Sequence, residues 1–345
     1  MRAQSRPDPL IQEASSERAC APRRAALAAL GGLAVGPLAR QAHAADYPVR
    51  PLRMVSPYAP GGVADPVARA LAEALGKDLG QPVAVENRPG ANTMIGIGSV
   101  ANGAPDGYSM VLVTGAMLNN VFLYKRMPYA PADIRTIAVV YEGPYVFVIN
   151  PRIPARTLKE FVAYAKAQKK PLSYASIATG SNLHLVPEMF SQEAGIALQE
   201  VSYNGKSGEA MMAVITGDVD LMVTLVAQVS PQIEAGKLRA LAVTPAQRMA
   251  ALPDVPTVAE AGFERFTGSA TWGGIGVHAR TPPEVAERLR NAIHKAMREE
   301  AFVRRFAPLG LLIQAPRTQE QVDRYVDVDR MRWGPVIQRL KLQLD

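Results

Sequence analysis

The sequence predicts an α/β protein whose sheets are largely parallel and whose chain is arranged as two lobes. Two observations carry that expectation. Beyond residue 45, short apolar runs of strand type alternate with segments of helical spacing. The alternation is also cut twice, near Asn150-Pro-Arg-Ile-Pro154 and near Gly262–Trp272, so one βα block is inserted into another. An inserted block joined by two crossings is the pattern of a hinged, two-lobed molecule.

Residues 1–44 stand outside this pattern. Arg23-Arg24 precede Ala25–Ala39, an apolar run of 15 residues rich in Ala, Gly and Leu, and Ala42-His43-Ala44 supplies an A-x-A cleavage signature. The run is too short and too mildly apolar for a spanning helix. This segment therefore reads as a signal peptide cleaved near Ala44, and the rest as an exported, soluble protein. The arginine pair leaves twin-arginine and general export both open. Cys20, the only cysteine, falls in this segment, so disulfides and thiolate metal sites are excluded from the mature chain.

The 345 residues carry 38 basic and 31 acidic side chains, a net charge of +7. Removing residues 1–44 takes away six Arg and three acids and leaves +4, from 32 basic and 28 acidic groups. So mild an excess, with no basic stripe interleaved with aromatics, argues against nucleic-acid binding.

The first strand is Leu52–Val55, which Pro57, Pro60, Gly61 and Gly62 end. Asp65 is expected as the N-cap of the next helix, with Pro66 at its first position. Val67, Leu71, Ala74, Leu75 and Leu79 form its apolar face, and Gly80 closes it. Val83–Glu86 is a short strand, and Ile95–Ala101 a short helix after a turn-rich Asn87–Asn92 loop. Pro105-Asp-Gly107 punctuates before the buried strand Tyr108–Thr114, and Ile134–Tyr141 and Tyr145–Ile149 read as two more. Thr157 and Glu160 form a capping box for a helix faced by Leu158, Phe161, Val162 and Ala165. Strands Ser173–Ala175, Leu198–Val201 and Val219–Val223 then alternate with a helix opening at Gly180-Ser181 and another over Gly208–Thr216. Leu238–Val243 and Gly274–Val277 are strands, and Pro282–Glu299 and Gln319–Leu340 hold amphipathic helices.

Three strand-to-helix junctions carry small-residue loops: Tyr58–Asp65, Ser176-Ile-Ala-Thr-Gly-Ser181 with Thr179 or Ser181 as cap, and Tyr203-Asn-Gly-Lys-Ser-Gly208. Free N–H groups at a helix start favour an anion by about 0.3–1 kcal/mol when exposed. With no Lys or Arg, the first loop suits a carboxylate at least as well as a phosphate. Singly, each loop also reads as a plain βα turn. Jointly, at the carboxyl ends of parallel strands, they read as one cleft. Lys206 in the third loop is either a ligand contact or a solvated lysine.

Catalytic and metal signatures are missing. Gly96-Ile-Gly-Ser-Val-Ala101 has the letters of a dinucleotide fingerprint, but a Pro/Gly/Asn loop precedes it instead of a strand. His184, His278 and His294 lack metal-ligand spacing, no G-x-S-x-G elbow occurs, and no cofactor is expected.

Several longer motifs occur in a fixed order. They are Pro57-Tyr-Ala-Pro-Gly-Gly-Val-Ala-Asp65, Val85-Glu-Asn-Arg-Pro-Gly-Ala91, Ala104-Pro-Asp-Gly-Tyr108, Gly180-Ser-Asn-Leu-His184, Val201-Ser-Tyr-Asn-Gly205, Gly217-Asp-Val-Asp220 and Leu252-Pro-Asp-Val-Pro-Thr-Val-Ala-Glu-Ala-Gly262. In these the chain resembles, from about Tyr47 to its C-terminus, the periplasmic solute-binding proteins of tripartite tricarboxylate transporters, the Bug or TctC-like family. The resemblance implies a Venus-flytrap fold, a mixed β-sheet flanked by helices in each lobe. Lobe 1 would comprise 45–148 and 270–345, and lobe 2 149–269. It implies a monomeric, non-enzymatic periplasmic receptor that delivers a small organic acid (a di- or tricarboxylate, an acidic amino acid or an aromatic carboxylate) to membrane transporter subunits. Tyr58, Pro60, Gly61 and Gly62 would hold one carboxylate, with Gly115 and Ala116 nearby. Ala178, Thr179 and Ser181 would close from the other lobe, which Tyr203 and Thr224 line.

Departures from the family pattern bear on the ligand. Lys206-Ser-Gly-Glu209 replaces small residues and Pro, Thr224 replaces Asp or Asn, and Thr114-Gly-Ala-Met-Leu118 has more apolar bulk. These point to a ligand whose distal part is less polar, or paired with Lys206. An exported enzyme acting on a carboxylate, and a receptor serving a sensor kinase, are the alternatives.

Overall fold

β1 (Leu52–Ser56) pairs in parallel with β2 (Val83–Asn87) on one side and β3 (Ser109–Thr114) on the other. The computed structural model describes residues 47–60, 63–177, 179–203, 206–267 and 269–344. The signal-peptide segment, Gly61, Gly62 and Ala178 lie outside the described residues.

β3 continues antiparallel to β9 (Ala270–His278), and β9 pairs with β4 (Ile134–Ile149). β4 is the link between two sheets. From Ile134 to Pro144 it pairs with β9, and from Tyr145 to Ile149 it pairs with β7 (Leu221–Leu225). β7 in turn is parallel to β5 (Leu172–Ser176), which is parallel to β6 (Leu198–Ser202). β8 (Arg239–Val243) adds to the C-terminal end of β4, and β10 (Leu312–Ile313) to its middle, at Tyr141 and Glu142. The sequence suggests a break at Glu142-Gly-Pro144, yet β4 is one strand of 16 residues. Pro144 is tolerated because it lies where the strand leaves β9 for β7, at the edge of both ladders.

The alternation of β4 feeds different cores. Tyr145, Phe147 and Ile149 point to one face of the second sheet, and Val146 and Val148 to the other. On the first face, α4 (Leu158–Ala167) and α5 (Asn182–Ala194) bring Phe161 and Phe190 against Phe147. On the second, α6 (Ser207–Thr216) and α7 (Val226–Glu234) bring Val214 and Val229 against Val146 and Met222. In the first sheet, α1 (Ala64–Leu79) and α8 (Pro283–Arg298) cover Met54 and Ile275 with Leu71, Leu75 and Ile293. α2 (Met94–Ala101) and α3 (Gly115–Leu123) cover Val55 and Val111 with Ile97 and Met117. Each such side chain contributes roughly 1.5–3 kcal/mol on full burial. After α9 (Glu300–Phe306), α10 (Gln319–Arg339) serves both sheets. Its Val322 packs with Val55 and Trp272, whereas Trp333, Val336 and Ile337 pack with Phe147.

Local expectations differ from the structure in two places, at Asp65 and at the Thr157 cap. Asp65 lies inside α1, whose cap position is Val63, and its carboxylate bonds to Asn87 instead of capping the helix. Thr157 does accept from Glu160 N–H at 3.1 Å, but Glu160 reaches back to Arg156 N–H at 2.7 Å, one residue before the capping-box position. α5 runs unbroken through Pro187 because its buried face, from Leu183 to Phe190, holds it on the sheet. Among the described residues no helix is long and apolar enough to cross a membrane.

Candidate functional site

Tyr58 leaves the end of β1 with its phenol half-buried, and its hydroxyl lies 2.7 Å from Thr114 Oγ1 at the end of β3. Thr114 caps α3 by accepting from Ala116 N–H at 3.3 Å. One hydroxyl pair thus joins the first loop to the helix start formed by Gly115 and Ala116. Burial pushes the Tyr58 phenol up to about 12, against the hydrogen bond from Thr114, so it stays neutral across the physiological range.

Asn87, at the end of β2, braces the same loop. Its Nδ2 donates to Tyr58 O and to Asp65 Oδ1, both at 3.0 Å, while Arg69 Nε donates to Asp65 Oδ2 at 3.0 Å. The chain on either side of Pro60 is therefore tied through one amide; Pro60 itself is exposed. Replacing Asn87 by Ala is expected to cost about 1–2 kcal/mol, because the Tyr58 carbonyl and one Asp65 oxygen lose a partner. Urea denaturation of the variant measures this.

Gly115 lies beside α10, β9 and the start of α5. A Cβ placed on it would lie 3.0 Å from Asp329 Oδ2, 3.4 Å from Asn182 Nδ2 and 3.5 Å from Trp272 Nε1. Asn182 opens α5, directly after Ser181, and its Oδ1 accepts from Asn119 Nδ2 of α3 at 2.8 Å. Behind them Asp329 accepts from Trp272 Nε1 at 2.8 Å and Trp333 Nε1 at 3.0 Å. The structure thus brings Gly115 and the start of α5 together, on a buried carboxylate that joins β9 to α10.

The remaining expected residues form a second group. Tyr203 N–H donates to Ser176 O at 2.9 Å, holding the third loop beside the second. Lys206 is exposed and its Nζ lies 2.9 Å from Glu209. Thr224 is fully buried at the end of β7, with its Oγ1 donating to Gln228 Oε1 at 2.5 Å. Thr224 and Gln228 border a recess of about 180 Å³ whose other walls are Ser207, Gly208, Met211, Met222 and Val229. Among the described residues no hydrogen bond or ion pair joins Tyr58 to this group, and no cluster of three potential metal ligands occurs.

Sequence reasoning missed Thr114, Asn87, Asn119 and Asn182. Small polar residues at strand and helix ends are the only trace they leave, and such residues are ordinary caps. The fingerprint letters at Gly96 have a packing cause: a Cβ there would lie 2.7 Å from Pro57 Cβ and 2.9 Å from Arg88 O. Gly96 lets α2 rest directly on the first loop.

Two sheets sharing one long strand, with helix starts meeting between them, define a two-lobed solute-binding protein of the periplasmic-binding-protein fold. The sequence model described as "Tripartite tricarboxylate transporter family receptor" matches residues 67–342, and the chain belongs to that family. Three solved structures are similar to it over nearly their whole lengths. The periplasmic binding protein BugD is 31% identical, covers 86% of this chain and 100% of its own, and superposes with a TM-score of 0.74. Rpa4515 of R. palustris, solved with adipate, is 28% identical with coverages of 85% and 98% and a TM-score of 0.75. MatC of Rhodopseudomonas palustris, with bound malate, is 28% identical with coverages of 84% and 100% and a TM-score of 0.72. These likenesses are to receptors and binding proteins and set aside the exported-enzyme alternative.

Proposed function

We propose that this receptor works in the periplasm, after cleavage near Ala44, and captures a small organic carboxylate between its lobes for delivery to transporter subunits in the membrane. The lobes, 45–148 with 270–345 and 149–269, close as a monomer about the β4 and β9 strands. The observation that carries this reading is the meeting of the Tyr58–Thr114–Ala116 group with the start of α5 across Asn119 and Asn182. Hydroxyl, amide and N–H donors converge there, which suits a carboxylate held largely by neutral donors. Adipate in one neighbour and malate in another are acids of that class. Gly61, Gly62, Ala178, Thr179 and Ser181 belong to this seat in the reading proposed.

The distal part of the ligand occupies the recess beside Thr224. Its Met211, Met222 and Val229 walls suit an aliphatic or aromatic body. Lys206 is taken up by Glu209. Lys206→Ala is accordingly expected to leave affinity unchanged.

Thermal melting of the ligand-free protein against di- and tricarboxylates, acidic amino acids and aromatic acids tests the reading. An acid at 100 times its Kd adds about 2.7 kcal/mol and raises Tm visibly. A selective rise supports carboxylate capture; a flat panel removes it. A receptor that hands its ligand to a sensor kinase would give the same panel, and pull-down with the membrane subunits separates the two.

A further inference from the structure

The second loop is held from behind by side chains that the carboxylate seat does not require. Glu200 on β6 accepts from Ser176 Oγ at 2.5 Å, and each of its carboxylate oxygens lies 3.4 Å from Thr179 Oγ1. Its Oε2 is also 3.7 Å from His184 Nε2. The other ring nitrogen, His184 Nδ1, accepts from Gly180 N–H at 2.9 Å. A neutral imidazole that accepts at Nδ1 carries its proton on Nε2, and here that proton faces Glu200. One carboxylate and one imidazole therefore hold Ser176, Thr179 and Gly180 together.

We propose that Glu200 and His184 are positioning residues that keep the second loop in its binding shape and release it when His184 takes a second proton. The clamp stands on geometry alone; only its effect on ligand rests on the receptor reading. A proton on Nδ1 converts that nitrogen from acceptor to donor, facing the Gly180 N–H that now donates to it. The contact turns repulsive, and Gly180 has little freedom to absorb the change. Its φ is +81°, and Leu123 of α3 packs so close that a Cβ on Gly180 would lie 2.9 Å from the leucine methyls. The displacement passes to Thr179 and Ser181, which flank it.

The charged and titratable groups facing the ring are Glu200 on β6, Glu188 one turn further along α5, and Tyr174 on β5. Tyr174 stacks on the ring at 6.3 Å between centroids and donates its hydroxyl to Glu188 at 2.7 Å. Burial holds the His184 ring below its usual range, while Glu200 and Glu188 pull the other way. The clamp is therefore intact above the ordinary imidazole range and is lost as pH falls through the depressed value.

NMR on the ligand-free protein from about pH 8 to about pH 5 tests this, following the His184 ring nitrogens and the Gly180 amide. The expected result is the Nε2–H tautomer at the upper end, with ring and amide sharing one midpoint below about 6.5. Glu200→Gln removes a charge that favours the imidazolium, so both midpoints should move to lower pH. His184→Asn places a non-titrating oxygen near the position of Nδ1, so the Gly180 amide should hold its neutral-pH shift throughout. An Nδ1–H tautomer, a Gly180 amide that does not follow the ring, or an unmoved midpoint in Glu200→Gln would overturn the proposal. Adipate binding, measured alongside, addresses the receptor reading separately, since its loss at every pH leaves the NMR result standing.

Discussion

Replacing Asp329 by Ala is expected to destabilise the protein by about 4 kcal/mol. The substitution strands the indole N–H groups of Trp272 and Trp333, both fully buried, and leaves a cavity where the carboxylate stood. Unpaired buried donors cost about 1–3 kcal/mol each, before any cavity term. Guanidinium denaturation measures the loss. The same group sets a pH dependence. Burial pushes the Asp329 carboxyl above its usual range, against the two indole donors and the Arg332 charge. The folded state then holds that proton more tightly than the unfolded state, so this group's contribution declines as pH rises from the ordinary value through the raised one. Asp329→Asn, which cannot titrate, should lack that decline.

Gly96→Ala is the second large expected effect, and it acts on the site more than on the fold. The added methyl meets Pro57 Cβ at 2.7 Å and the Arg88 carbonyl at 2.9 Å, contacts that force α2 or the first loop to move. Overpacking of this kind costs about 1–3 kcal/mol. A loop displaced with Tyr58 should also lower carboxylate affinity by about tenfold, the equivalent of about 1.4 kcal/mol. Gly98→Ala, on the same helix, is the control: its methyl meets Tyr129 Cδ1 at 3.6 Å, an ordinary contact. Calorimetric titration of both variants with the acid that raises Tm most reads the difference.

Strand–helix alternation was legible because apolar runs and Pro/Gly punctuation are local signals, and the structure keeps nearly every predicted element within two residues. α3, α7 and α9 were not. Thr114-Gly-Ala-Met reads as loop because Gly and Thr are poor helix formers, and only packing of Met117 and Leu118 makes it helical. α7 carries Pro231 in its interior, which masks it. The helix-start loops of the site were legible from glycine and proline. Their braces were not, since Asn87 reaches back across 29 residues to Tyr58 and Asn119 across 63 to Asn182. Nothing in the spacing of a lone asparagine reports a partner that distant.

In the proposed complex a carboxylate sits on the first loop while the second loop closes over it. A crystal structure of the protein with the acid giving the largest rise in Tm tests that most directly. The expected result is one carboxylate in hydrogen-bond contact with the Tyr58–Gly62 loop and the Gly115–Ala116 helix start, directly or through a single water. Thr179 or Ser181 is expected on the opposite side, with the ligand body against Met211 and Met222. An acid bound outside these loops, or one held chiefly by Lys206, would contradict it.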